Sequence, residues 1–312
     1  MGPQLVTFVI TTCTNRKRRP IESALIASKL PQALIDDVAS EWGGRLSAAA
    51  DRFPARDIYG GRSFQEAALA AELLGARLLI VSAGLGLVNA GDRVPPYACT
   101  VVVDAPDSIA SRVVDGYSVA DWWRALNAVS PFSKPLAAVV GSTDGLICAA
   151  LSDTYIEMIA DELCRLPPAA LARLRLFTRA PLKRVAPGLR KFVMPYDDRL
   201  DGPDSPVRGT RGDFAGRAVH HFAEFVIREI DSRSADEHAT AVLAAQKSWR
   251  MAERFNRQRL DDAAVLDLIR AHWQAEHGST ARLLRRLRDD LGVACEQGRF
   301  AHLARKVRSE KA

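Results

Sequence analysis

Three short apolar runs, each emptying into a polar or glycine-bearing loop, constrain this chain more than any other feature. Residues 5–10 are rich in β-branched side chains and end in Thr11-Thr12-Cys13-Thr14-Asn15. Residues 76–81 lead into Ser82-Ala83-Gly84-Leu85-Gly86, and residues 136–140 into Gly141-Ser142-Thr143-Asp144. Apolar runs of this length read as strands buried on both faces. Between them, Leu34, Ile35, Val38, Trp42 and Leu46 recur at helical spacing, and Ser63 is placed to cap a second helix ending near Leu74. The alternation predicts an α/β fold of three layers, a mainly parallel sheet covered by helices on both faces. Ligands of such sheets bind at the carboxyl ends of the strands, so the three loops are expected together at one edge. Residues 174–178 and 191–194 are weaker strand candidates, and helical patterns run over 214–230 and 237–255. The acidic, glycine-bearing stretch between them, 194–214, reads as an ordered functional loop or a mobile connector.

With 48% hydrophobic residues among 312, the chain has enough apolar material for a full core. Its five cysteines (Cys13, Cys99, Cys148, Cys164, Cys295) are scattered, which argues for reduced thiols and against a structural zinc. The first apolar run is too short for a membrane span, and Arg16-Lys17-Arg18-Arg19 follow it on the wrong side for a signal peptide, so a cytoplasmic location without membrane contact is expected. Adjacent His220 and His221 would point about 100° apart on a helix and so cannot easily grip one ion. No metal or other cofactor is called for.

The net charge of +6 is carried entirely by the end of the chain, where residues 247–312 hold 15 Lys/Arg against 9 Asp/Glu. There three helices can be drawn. The first carries Val265, Leu268, Ile269 and Trp273; the second, capped by Ser279 or Thr280, carries Leu283, Leu284, Leu287 and Leu291 and stops at Gly292; the third buries Phe300, Leu303, Ala304 and Val307. This suits a helix-turn-helix-like module over 236–312, following an α/β domain over 1–235. Its outward residues would be Arg299, His302, Arg305 and Lys306 on the third helix, flanked by Arg282, Arg285, Arg286 and Arg288 on the second, a face suited to phosphates. A charged helical bundle that only closes the core or mediates dimerisation is the plainer alternative.

The first loop, Cys13 to Lys17, offers a thiol, hydroxyl and amide groups and two cations beyond a strand end, a combination that can hold an anion. The second permits close backbone approach at Gly84 and Gly86 and delivers Asn89 and Asp92. Pro95-Pro96 then fixes Tyr97 where it would stack on a base or pack under a turn.

These pieces, Cys13-Thr14-Asn15-Arg16-Lys17, then Ala55 to Phe64 with Tyr59 and Gly61, then Ser82-Ala83-Gly84-Leu85-Gly86-Leu87, then Pro96-Tyr97 with Thr100, resemble a bacterial domain-of-unknown-function family related to the peroxide-stress YaaA proteins. The likeness covers about the first half of the chain. It departs at Thr14, where Ser or Gly is usual, and at Gly84, where lysine is common. The resemblance implies a uracil-DNA-glycosylase-like fold among proteins that handle modified bases, including an anti-phage DNA glycosylase acting on glucosylated hydroxymethylcytosine.

A glycosylase extrudes the target nucleotide, stabilises an oxocarbenium-like transition state and releases the base. On that reading Asn15, Asp92 or, in reserve, Asp144 serves the water and the sugar cation. Lys17 and Ser82 contact phosphate or base, with Cys13, Thr14, Tyr59, Gly86 and Asn89 around them and Tyr97 stacking. Asp198 and Arg199 read polar substituents on a bulky base. The partner is double-stranded DNA with modified phage bases. The alternatives are a non-enzymatic DNA-binding protein of stress or defence and, last, a nucleoside or base-exchange enzyme.

Overall fold

The computed structural model describes residues 7–141, 143–227, 233–253 and 257–310. Two compact units divide at 252/253.

In the first unit the order is β1 (Phe8–Thr12), α1 (Ile35–Ala48), β2 (Phe53–Pro54), α2 (Arg62–Leu73), β3 (Arg77–Ser82), β4 (Gly86–Asn89) and β5 (Arg93–Val94). It continues with α3 (Val119–Val129), α4 (Leu136–Val140), β6 (Ile147–Ala150), α5 (Asp153–Cys164), α6 (Pro168–Ala172), β7 (Leu174–Phe177), α7 (Phe214–His221) and α8 (Ala235–Gln246). A five-stranded sheet runs β4-β3-β1-β6-β7, parallel except for the antiparallel edge strand β4, while β2 and β5 form a separate antiparallel pair.

The strands alternate faces with period two, as the pleat requires. Phe8, Ile10, Ile147, Ala149, Leu174 and Leu176 join one core with Trp42 of α1, Trp122 of α3 and Ile156 of α5. Val9, Cys148, Ala150 and Phe177 join the other with Ala67 of α2, Ala218 of α7 and Val242 of α8. The sheet is thus covered on both sides.

Two strand expectations fail. Residues 136–140 form α4, not a strand: Pro135 precedes them as N-cap and the run has no extended partner. The strand lies further on, in Ile147-Cys148-Ala149-Ala150, where small side chains fit between two helical layers. Residues 191–194 fall at the end of a 3₁₀ segment, Pro187–Phe192, with only a bridge between Leu176 and Val193.

The stretch 194–213 packs against α7 rather than looping free. Leu200, Ser205 and Val207 are buried, and the buried Arg217 guanidinium donates to the carbonyls of Leu200 (2.7 Å), Val207 (3.1 Å) and Thr210 (2.9 Å). Arg217 also pairs with Asp213 (2.6 Å) and Asp201. The helix expected over 214–230 is α7 followed by a π turn to Val226, with 228–230 outside the described residues. The helix expected to start at 237 is α8, which ends at Gln246, and residues 254–255 lie outside the described residues. Because α8 buries His238 and Val242 in the first unit, with Arg175 Nε donating to His238 Nδ1 at 2.8 Å, the boundary falls at 252/253 rather than 235/236.

The second unit contains β8 (Gln258–Arg259), α9 (Asp262–His272), α10 (Thr280–Asp289), β9 (Val293–Ala294) and α11 (Gln297–Glu310), with β8 and β9 parallel. Its core is Val265, Ile269, Leu283, Leu287, Val293, Phe300, Leu303 and Val307. Gly292 turns the chain at φ +61° after α10, but residues 290–296, which include β9, replace the three- or four-residue turn of a helix-turn-helix. Leu291, expected in the apolar stripe, is exposed.

Candidate functional site

Strand order decides where the cleft opens. From β1 the chain crosses to β3 on one side, whereas from β6 it crosses to β7 on the other, so the loops after β1 and β6 diverge and leave a crevice at their carboxyl ends. A cleft of about 370 Å³ occupies that place. Its walls are residues 12–15 after β1, Ser63 at the start of α2, Thr100 with Val102, residues 151–153 and Tyr155 at the start of α5, Arg179 after β7, and Arg211 to Ala215 at the start of α7.

Several local choices aim polar groups into it. The N-caps of α2 and α5, Gly61 and Ser152, provide no side-chain cap, and both helices begin at the cleft, which Ser63, Ser152 and Asp153 line. The Gly61 N–H instead donates to Thr14 Oγ1 at 3.3 Å. A Cβ on Gly61 would lie 2.6 Å from Thr14, so only glycine lets the loop after β1 meet α2 this closely. Asp153 occupies the first turn of α5, where the helix dipole favours a carboxylate, and lies 3.6 Å from Arg184. Arg179 pairs with Asp198 and with Asp201 (2.6 Å) and lies over the Phe214 ring at 5.2 Å. Arg211 also lines the cleft and is exposed. An amide, a carboxylate and two guanidinium groups therefore share one cleft.

Under the floor runs a buried polar network. Cys13 Sγ lies 3.0 Å from Tyr155 Oη and accepts from the Ala83 N–H at 3.4 Å. Tyr97 Oη meets Ser82 Oγ at 2.6 Å and Tyr59 Oη at 3.2 Å. Burial, reinforced by the neighbouring Cys13, raises the phenols of Tyr59, Tyr97 and Tyr155 far above their usual range, and burial likewise raises the Cys99 thiol. The Lys17 amine lies over the rings of Tyr97 (4.5 Å) and Tyr59 (5.1 Å) and donates to Thr14 O. Burial lowers its pKa, partly opposed by Cys13, Cys99 and Asp107.

Of the residues singled out from the sequence, Cys13, Thr14 and Asn15 line the cleft. Tyr97 and Tyr59 are 0% exposed, so neither has a face on which a base can stack; packing under a turn is their role here. Ser82 is equally buried, its Oγ accepting from the Leu85 N–H at 3.0 Å. Gly86, at φ +84°, turns β3 into β4. That reversal carries Asn89 and Asp92 back to the amino edge of the sheet, where Asn89 is paired with Leu79 in register and Asp92 binds Lys134 at 2.6 Å. Burial opposes ionisation of Asp92, but its bonds to Lys134 and Asn89 prevail and lower its pKa. Asp144 precedes β6, is 79% exposed and faces Arg173 at 3.9 Å, again at the amino edge. Asp92 and Asp144 are thus separated from the cleft by the length of the sheet. Asp198 borders it only through Arg179, while Arg199 turns to Asp197 (2.9 Å) and the Gln246 carbonyl (3.1 Å).

His220 bridges Glu66 (2.6 Å) and Glu224 (3.2 Å) from opposite ring nitrogens, whereas His221 Nδ1 meets Tyr196 Oη at 2.7 Å. The two rings serve different surroundings.

In the second unit, Arg286 pairs with Glu276 (2.9 Å), Arg299 with Asp262 (2.7 Å), and Arg288 donates to the Cys295 carbonyl (2.7 Å). Arg282, Arg285, His302, Arg305 and Lys306 are exposed.

Sequence reasoning missed Asp153, Tyr155, Arg179 and Arg211. The usable signal was Leu151-Ser152-Asp153, an apolar run passing into a serine and a helix-start aspartate, which the misplaced third strand concealed. No match to this chain emerges from protein-family models, curated proteins or solved structures. Among the described residues, no helix is long and apolar enough to cross a membrane.

Proposed function

We propose that this chain is a DNA N-glycosylase that excises a modified cytosine, of the glucosylated hydroxymethyl class, from phage DNA and leaves an abasic site as a defence against infection. The observation that carries the reading is the grouping of Asn15, Asp153, Arg179 and Arg211 around one cleft at the switch point of the sheet. The sequence resemblance supplies the substrate class.

In this mechanism the extruded nucleotide enters the cleft and its flanking phosphates meet Arg211 and the N–H groups at the helix starts. The bond between C1′ and the base nitrogen breaks with its electron pair leaving on the base. The Asp153 carboxylate faces the cationic sugar, and Asn15 orients a water that adds to C1′ and gives its proton to Asp153. Arg179, held between Asp198 and Asp201, is a rigid donor for polar substituents on the base. The exposed cations of α10 and α11 neutralise backbone phosphates.

Those same cations favour a second reading, a DNA-binding protein without catalysis. Purified protein is incubated with unmodified, hydroxymethylated and glucosyl-hydroxymethylated DNA, then with alkali, and the strands are sized. Alkali-dependent breaks confined to modified DNA, abolished by Asp153→Asn with DNA affinity retained, are the expected result. Intact strands with a salt-sensitive gel shift would favour the binder.

A further inference from the structure

Past the wall of the cleft, the loop after β1 carries a row of cations. Of Arg16-Lys17-Arg18-Arg19 only Lys17 turns inward, over the Tyr59 and Tyr97 rings, and the three arginines are exposed. The loop is pinned where it leaves the cleft, the Arg18 N–H donating to Ile58 O (2.8 Å) and the Gly60 N–H to Arg16 O (2.9 Å). Arg19 carries the row onward by lying over the Phe53 ring at 4.8 Å. There the β2–β5 pair sets Pro54 opposite Arg93, and Arg93 donates to Arg52 O at 2.5 Å. Arg52 in turn lies over the Phe132 ring at 5.1 Å. Ring faces thus fix two of the guanidinium groups before any partner arrives.

The lack of counter-charge sets these arginines apart. Elsewhere in the same unit Arg179, Arg184, Arg199 and Arg217 each pair with a carboxylate. Among the described residues none of Arg16, Arg18, Arg19, Arg52 and Arg93 does so: Asp51 and Asp57, the nearest acids in sequence, pair with none of them, and Asp92 is taken by Lys134. The near balance of charge before residue 247 therefore hides a local cationic excess. Like charges held together without acids repel one another until an anion joins them.

We propose that Arg16, Arg18, Arg19, Arg52 and Arg93 form a track for the phosphate backbone of a nucleic acid, a contact surface of the first unit in addition to the cations of α10 and α11. Planar guanidinium forks match phosphate oxygens, and a set spread over three chain segments meets a row of phosphates better than one small anion. A lipid surface also presents phosphates, but residues 16–19, 52–54 and 93–94 hold none of the exposed large apolar side chains that would enter it. Asn15 is a wall of the cleft and Arg16 follows it, so a strand on the track passes the rim of the cleft. The track would serve a catalyst and a pure binder alike, and its test needs no excision.

The full chain is titrated into a labelled short unmodified duplex over a range of KCl concentrations, with binding read by fluorescence anisotropy. Arg19→Gln combined with Arg52→Gln should lower the slope of log affinity against log salt by about 2, and the corresponding lysine pair should keep it. Arg124→Gln combined with Arg165→Gln removes the same charge from exposed arginines that pair with Asp121 and Asp161, and should leave the slope as it was. Melting curves report whether the variants fold, and Arg16→Gln alone, expected to lower the slope by about 1, serves if the double variant does not. Failure of the wild type to bind the duplex, an unaltered slope in the Arg19/Arg52 and Arg16 variants, or an equal fall in the Arg124/Arg165 control would overturn the track. So would tighter binding to vesicles of phosphatidylglycerol and phosphatidylcholine than to the duplex. A fall confined to the track variants, in protein that leaves every modified DNA intact, would uphold the track and remove the glycosylase reading instead.

Discussion

Replacing Arg217 by methionine tests how the wall of the cleft is held. The guanidinium is wholly buried and serves five partners: Asp213 at 2.6 Å, Asp201, and the carbonyls of Leu200, Val207 and Thr210. Methionine matches much of the volume but none of the donors. Asp213 and Asp201, 7% and 11% exposed, then lose their shared buried cation, and breaking such a pair costs about 3–5 kcal/mol. Against a total stability of about 5–15 kcal/mol this is a large fraction. It corresponds to a fall in melting temperature of roughly 6–20 °C for a unit of this size. Urea unfolding followed by tryptophan fluorescence, which Trp42, Trp122 and Trp123 report from the first unit, measures the loss directly. Arg165→Met, removing an exposed pair with Asp161, should leave the midpoint where it was. A loss below about 1 kcal/mol at Arg217 would refute the reasoning, since it would mean the carboxylates recover solvation without it. Because Asp201 also holds Arg179, the variant should lose excision even where it remains folded.

Three further outcomes follow from the same structure. Burial, with His220 adjacent, pushes His221 down to about 4; the unfolded chain therefore binds a proton below pH ~6.5 that the folded chain refuses. Stability present above that pH should fall by on the order of 3 kcal/mol as pH drops toward 4, and His221→Gln should flatten the dependence in urea titrations at pH 7 and 4.5; an unchanged slope would exclude this origin. Arg285→Gln and Lys306→Gln should each reduce the slope of log affinity against log salt by about 1 in DNA titrations, whereas an unaltered slope would remove these residues from the interface. Gly84→Ala would set a Cβ 2.6 Å from two ring carbons of buried Tyr97 and should cost about 1–3 kcal/mol in thermal melts, an unchanged melt showing that the turn can yield.

Local pattern was legible wherever periodicity and burial agree. The runs around Val9 and Ile80 are strands, as their short length and β-branched content favour, and Trp42 marks the inner stripe of α1. Direction was not legible. Nothing in Leu87-Val88-Asn89 says that β4 runs back against β3, yet that reversal sends Asn89 and Asp92 to the far edge. Residues 136–140 show why an apolar pentamer is ambiguous: strand and helix both bury it, and only Pro135 and the later alanine-rich strand decide. Tyr97 lay beyond sequence reasoning for another reason, since exposure depends on neighbours such as Trp42 and Tyr59 that arrive from distant segments. The basic character of the last three helices was readable, but not which arginines are spent internally, as Arg286 and Arg299 are.

The walls of the cleft come from residue 12 at one extreme and residue 215 at the other. A chain still emerging from the ribosome therefore has no site until the start of α7 has been made and has docked. Until Tyr155 has been made, the thiol of Cys13 waits without the hydroxyl that later meets it from 142 positions further along the chain. A polypeptide cut anywhere in 194–210 would place Arg211 and Arg179 on different fragments while leaving each core partly assembled. The complete cleft is in this sense a late product of synthesis, acquired when the last wall closes.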